Sequence, residues 1–438
     1  MKLIRNVLWI ALLAAGGAES QRPILYPGDV SKEISWKELT WHIEAFTRFA
    51  KVEGSRSLGT LAFLLSADYT VRGINHCGTF AKLEIRKHHF IYSNTSSISL
   101  KGPDGDPVNV TSVKYNTRTW SKGFRSALAA APVDEKRGSG CFEDQWKGIK
   151  LKGRIALIKG GHCKIADKVA LAKERGAGAV ILYDQPPRSA LSSETAGKMI
   201  PVAVVDVKVG QKWSERLGAG EKLKVKLKVE ATNEKLEAFN MIVDTAVGSP
   251  DDVIMLGARL DSTAGPGIND NASGSSALIE ILRRIHVYKG HSRRIRFAFW
   301  GGEMGSAQYL AQLNETEAAK IRIYMDINTI GTHNPTWTVF SDDAKDRFAS
   351  KVLFNYLKDT GGVNVTYSEP KNNSDSAPFR RRGIPCTGIT TGADSCQNLA
   401  CDTLTNINME AIYLATQAAT FGAARLATPG RTKTSLSD

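Results

Sequence analysis

The chain has 438 residues, 42% of them hydrophobic, with 39 glycines and 15 prolines. That composition excludes a disordered or low-complexity protein and leaves enough apolar residues for two or three domains with sizeable cores. Lys and Arg outnumber Asp and Glu by 58 to 44, a net charge of +14, which suits an acidic partner. No nucleic-acid reading motif accompanies that charge, so nucleic acid is not an expected partner.

In chain order, Met1 to Ala18 carries Lys2 and Arg5, then VLWIALLAA, then the small residues Gly16 and Ala18. This reads as a secretory signal peptide (1–18) and predicts a secreted, extracellular protein. No later stretch approaches the length of a membrane span. In an oxidising compartment the six cysteines favour disulfides over metal sites. Cys141 and Cys163 flank the strand-like KGRIALIK, and Cys396 and Cys401 close a short loop. Cys77 and Cys386 show no such pattern, as buried free thiols or a third bridge. Of six Asn-x-Ser/Thr sequons, Asn94, Asn109, Asn314, Asn364 and Asn372 are expected glycan sites, whereas Asn271 falls in the cleft predicted below.

Residues 30–111 give an amphipathic helix (WKELTWHIEAFTRFAKV), the turn SRSLGT, a second helical stretch and the alternating strand AKLEIRKHHF. They read as scaffold. Residues 112–230 change character: KGRIALIKG, the helix IADKVALAKERGA, the strand AVILYDQ, IPVAVVDV, and the strictly alternating KLKVKLKVE. This segment resembles the protease-associated domain inserted into secreted peptidases, a β-rich insert. Residues 133–230 hold 20 Lys or Arg against 12 Asp or Glu. An acidic polymer or surface is one reading of that excess; a solvated basic face is the other.

Residues 231–426 are α/β, with a polar tail at 427–438 that reads as disordered. VIMLGA and IRFAFW are buried strands. Between them GPGINDNASGS leads into a helix bearing Ala277, Leu278, Leu282 and Ile285 on one face, with Ser273 as its expected cap. Polar residues cluster after neighbouring strands, where open α/β sheets build their sites. The expected fold is α/β, a mainly parallel twisted sheet with helices on both faces.

GPGINDNASGS, together with GARLDS and FWGGEMGS, resembles the zinc aminopeptidases of the aminopeptidase Y and fungal leucine aminopeptidase type, over about residues 36–426. The resemblance supports the pairs Cys141–Cys163 and Cys396–Cys401. It also implies two zinc ions shared by a His, a bridging Asp, a Glu, a second Asp and a final His. A further Glu takes a proton from the attacking water. Carried across, the bridging Asp is Asp270 and the proton-accepting Glu is Glu303. The remaining ligand positions hold Arg259, Met304, Asn328 and Asn398, and the Tyr before the last His is Gln397.

Zinc takes anionic or neutral imidazole donors, usually three or more from protein. A guanidinium cannot deprotonate to become one. A gap placed one residue earlier makes Glu303 the metal Glu and deletes the base. Asp326 and His333 lie close in sequence, but two residues along a strand is about 7 Å, so substitution by Asp326 requires a rebuilt site. Arg259 is therefore expected where a zinc ion would sit, bonded to Asp270, with Asp261 or Glu303 as second partner. Three readings follow. One is a catalytically dead pseudo-peptidase that binds peptide or protein and needs no cofactor. Another is a zinc-dependent aminopeptidase with rebuilt ligands. The third is a polyanion- or surface-binding protein.

Overall fold

The run Val253–Ala258 sits inside the strand Ser249–Arg259, which pairs in parallel with Arg293–Trp300 on one edge and Ile321–Ile327 on the other. With both edges and both faces covered, every residue from 253 to 259 is buried. That is why the sequence reads as an unbroken apolar run rather than an alternation. The computed structural model describes residues 22–185, 191–341, 347–370 and 374–430. The expected signal peptide, Asn372 and the last eight residues lie outside the described residues.

The chain divides into two compact units, one of Met1–Phe90 with Glu237–Asp438, the other of Ile91–Leu236. The second is wider than the 112–230 read from the sequence, because the long strands Ala81–Lys101 and Lys224–Thr245 carry the chain out and back. No helix among the described residues is long and apolar enough to cross a membrane.

The sheet of the first unit runs Val365–Ser368, Trp337–Phe340, Cys386–Thr390, Ile321–Ile327, Ser249–Arg259, Arg293–Trp300 and the end of Lys224–Thr245. Its four central strands are parallel; Lys224–Thr245 against Arg293–Trp300, and Trp337–Phe340 against Cys386–Thr390, are antiparallel. Alternate side chains of one strand feed two cores. Ile254, Leu256 and Ala258 join the helices Trp36–Glu53, Leu61–Asn75, Gly274–Ile285 and Met409–Ala427. Val253 and Met255 join Trp300, Tyr309, Tyr324 and Phe379 on the other face. Each such Ile, Leu or Val contributes about 1.5–3 kcal/mol by leaving water. Trp300 Nε1 donates to Tyr324 Oη at 2.9 Å, and Tyr324 stacks on Phe379 at 4.0 Å. A Cβ on Gly257 would come within 2.3 Å of Tyr324 Oη, so only glycine lets these rings close over the strand.

Ser273 does not cap the helix Gly274–Ile285. The backbone is not helical at Asp270 and Asn271, but Ser273 itself is already helical at φ −58°. Its hydroxyl therefore donates back to Asn269 O at 2.7 Å, and Asn271 Oδ1 accepts the Gly274 N–H at 3.1 Å in its place. The helix Met409–Ala427 reaches one residue into the expected tail.

In the second unit Phe124–Ala130, Ile155–Lys159, Ala179–Tyr183 and Val202–Val205 run parallel. The helix Ile165–Glu174 connects the second and third of them and Val207–Gly218 follows the last, so the unit is itself a small α/β layer around its strands. Along KLKVKLKVE, Leu223, Val225, Leu227 and Val229 are buried, and the lysines between them point outward.

Candidate functional site

Arg259 ends its strand level with Trp300, and Gly257 two residues earlier is level with Asp326. Three adjacent strands thus release their loops together, at the carboxyl edge of the sheet. Arg259, Asp261 and Asp270 are 7%, 3% and 3% exposed. The Arg259 guanidinium donates through Nη2 to Asp270 Oδ1 at 3.1 Å and through Nη1 to Thr263 Oγ1 at 2.9 Å. Its Nε lies 4.0 Å from Asp261 Oδ1. The Thr263 hydroxyl donates in turn to Glu303 Oε1 at 3.1 Å, and Gln397 Nε2 donates to Asp270 Oδ2 at 2.7 Å. The expected Arg259–Asp270 pair is present, with Asp261 as a more distant second partner. Thr263 links the guanidinium to Glu303. Burial works against the Arg259 charge, but Asp270, Asp261, Asp375 and Glu303 outweigh it and hold the group protonated. Asp261 accepts the Gly302 N–H at 2.9 Å, and burial raises its carboxyl above the usual range.

Two further carboxyls face this cluster. Asp326 is 0% exposed and Asp375 is 4% exposed. Burial pushes Asp326 up to about 7, against the pull of Ser376 and Arg259. The Ser376 amide and hydroxyl act on it through their dipoles, since neither Asp326 oxygen has a hydrogen bond of ordinary geometry. Burial, then the proximity of Asp326, raise Asp375 well above a normal carboxyl. One guanidinium thus stands among more carboxyls than it can neutralise, and the pair beyond its direct reach is shifted toward the protonated form.

The loop that carries Asp270 is fixed from two sides. Arg56, fully buried, donates to the carbonyls of Leu260 at 2.5 Å, Pro266 at 3.1 Å and Gly267 at 2.6 Å. Asp402 accepts the N–H groups of Asn269 at 2.7 Å and Asp270 at 3.1 Å. The SRSLGT turn, read from sequence as scaffold, therefore reaches the cleft loop directly through Arg56.

The other expected positions are spread around the cluster. Glu303 and Met304 are exposed, Met304 by 47%. Asn328 lies just past the strand Ile321–Ile327, its N–H 3.4 Å from Ile389 O. Asn398 adopts a left-handed backbone at φ 59°, and its Oδ1 is buried without a hydrogen-bond partner. His333 is exposed. Cys141–Cys163 and Cys396–Cys401 are bonded, and Cys77 and Cys386 are buried and free. Asn94, Asn109, Asn314 and Asn364 are exposed, while Asn271 is fully buried and donates to Ile327 O.

Sequence reading missed Thr263, Asp375, Asp402 and Arg56 as parts of the site, and the bonding role of Gln397. The one signal present was the run of Asp, Thr and Gln in loops that follow sheet strands. Among the described residues, three metal-type donors converge within 4.8 Å only at Glu38, His42 and Glu280. There Arg283 and Arg284 already hold the two glutamates, at 2.6 and 2.8 Å, and burial takes His42 down to about 3. The carboxyls around Arg259 show no such convergence.

A sequence model of peptidase family M28 matches residues 240–420, and one of the PA domain matches residues 127–213. Aminopeptidase Y of Saccharomyces cerevisiae is 30% identical over 73% of this chain and 67% of its own length. A probable leucine aminopeptidase 2 of Aspergillus oryzae is 27% identical over 97% of this chain and 90% of its own. The fold matches an aminopeptidase from Aneurinibacillus sp. strain AM-1 with a TM-score of 0.81, at 22% identity, over 92% of this chain and 97% of that one.

Proposed function

The chain belongs to peptidase family M28, and from that premise we propose that it is a secreted, metal-free relative whose cleft holds a peptide or protein without cutting it. The observation that carries this reading is the Arg259–Asp270 pair, 3.1 Å long and almost fully buried. Asp270 is the one expected ligand position that offers a carboxylate, and both its oxygens accept hydrogen bonds, from Arg259 and Gln397. A zinc ion there would meet a fixed positive charge and too few donors. The residues present do not fit the family's metal pair.

Glu303 keeps its carboxylate at the cleft, but its neighbours supply no Lewis acid to lower the pKa of an attacking water. Export rests on the Met1–Ala18 pattern and accords with two disulfides.

The test is zinc content of the secreted protein together with turnover of a leucine chromogenic substrate. Trace zinc and background turnover are expected. Near-stoichiometric zinc with turnover would overturn the proposal in favour of a second reading, a zinc aminopeptidase with rebuilt ligands. That reading rests on Asp326, whose buried oxygens have no hydrogen bonds of ordinary geometry.

A further inference from the structure

We propose that Lys222, Lys224, Lys226 and Lys228, with Arg125, Lys122 and Trp120 beside them, form a binding surface for an acidic polysaccharide. The surface lies within the unit Ile91–Leu236 and does not depend on the state of the cleft. It begins with the alternation of the strand. Leu223, Val225, Leu227 and Val229 are buried, which forces every intervening lysine onto one outer face, about 7 Å from the next.

The neighbouring antiparallel strand adds to the row rather than balancing it, because Lys226 stands directly opposite Arg125. Like charges in that register repel. Among the described residues, Lys122, Arg125, Lys222, Lys224 and Lys226 have no ion pair, and Lys228 alone is paired, with Glu230 at 3.0 Å. Elsewhere in the unit several arginines are neutralised: Arg137 by Asp144 at 2.8 Å, Arg175 by Glu143 at 3.4 Å, Arg216 by Asp104 at 3.2 Å and Glu221 at 2.9 Å. Lys147, Lys150 and Lys152 are exposed as well, so what sets this row apart is its even spacing on one strand face, with Arg125 opposite it.

Trp120 identifies the kind of acid. It is 72% exposed, the most exposed large apolar side chain among the described residues. The Thr119 N–H, which donates to Val229 O at 3.0 Å, fixes it beside the Lys228 end of the row. Phe124 meets it edge-on at 5.5 Å and leaves the indole accessible. A single flat ring next to a line of single charges suits a chain of sugar rings bearing sulfate or carboxylate groups, with a ring stacked on the indole.

Heparin serves as the probe, titrated against the full-length protein over a range of salt. In the variant Lys222→Gln/Lys224→Gln/Lys226→Gln, affinity at about 0.1 M salt should fall at least roughly tenfold, and the slope of log K against log salt should drop by about 2–3, as expected for three lost charge contacts. The equal-charge control Lys147→Gln/Lys150→Gln/Lys152→Gln should keep the wild-type slope. Trp120→Ala should weaken heparin while leaving inorganic polyphosphate, which has no rings, unchanged. Equal losses in row and control variants would overturn the proposal, leaving only diffuse charge. So would capture by phosphatidylserine vesicles with no heparin binding. All the substituted residues are exposed, and matching melting curves confirm that each variant is folded.

Discussion

Gln397 Nε2 donates to Asp270 Oδ2 at 2.7 Å, occupying the carboxylate oxygen that Arg259 leaves free. Each oxygen of this buried carboxylate thus meets a donor, and the two donors sit on chain segments far apart in sequence. Gln397→Leu should therefore cost about 1–2 kcal/mol, a hydrogen bond to a charged group discounted for the exposed glutamine. Urea unfolding measures it, and no change would show that solvent satisfies Asp270 equally well.

Removing the guanidinium should cost more. Arg259→Met leaves Asp261 and Asp270 buried without their cation, and breaking such a pair from one side typically costs about 3–5 kcal/mol. Arg259→His should not restore aminoacyl turnover, since Met304, Asn328 and Asn398 still offer no anionic or imidazole donor. Activity in that single variant would sink the metal-free reading.

Asp326 predicts a pH dependence. Its carboxyl is held up to about 7 in the fold, against about 3.9 in an unfolded chain. Its contribution to stability is thus fully present below the unfolded value and is lost as pH rises through about 7. Asp326→Asn resembles the protonated form, so it should leave stability near its wild-type value at acid pH and raise it at pH 8, by at most a few kcal/mol. Urea midpoints at the two pH values check this, and an equal effect at both would rule out titration as the cause.

The bridge Cys396–Cys401 joins cysteines five positions apart and encloses both Gln397 and Asn398. Replacing both cysteines by serine should cost about 2 kcal/mol on the chain-entropy estimate for so short a loop. The loss should be smaller in the Gln397→Leu background, because the loop would no longer have to hold that donor over Asp270. A double-mutant cycle reads the coupling.

The like-charge pair across the basic row should be relieved by Lys226→Thr, a β-branched residue suited to the strand. A gain of about 0.2–1 kcal/mol in unfolding free energy is expected. A loss would mean that the lysine stem contributes more through packing than its charge costs.

Much of the fold was legible because its signals are local. An unbroken apolar run marks a strand covered on both faces, and strict alternation in KLKVKLKVE marks one covered on a single face. Asp270 and Glu303 were legible for the same reason, each belonging to a short loop tied to its own strand. Thr263, Asp375 and Gln397 were not, since their roles arise only when separate segments meet around the Arg259–Asp270 pair, Gln397 from 127 residues beyond Asp270. Ser273 misled because a serine before an apolar helix looks identical whether its backbone is extended, as a cap requires, or already wound. The domain boundary was blurred by two strands long enough to belong to both units.

The pairing of Arg259 with two buried aspartates also shapes the mutational routes open to a descendant of this chain. Any single exchange of Arg259 for a neutral residue leaves Asp261 and Asp270 facing each other uncompensated before anything can be gained. Exchanges at Met304, Asn328 or Asn398 to acidic residues would enlarge a negative cluster that already exceeds its one cation, while a single exchange to histidine still falls short of the three or more donors that zinc takes. Each first step is therefore unfavourable or neutral on its own, although several together could be favourable. Such sign epistasis works as a ratchet that holds the Arg259–Asp270 arrangement against single exchanges.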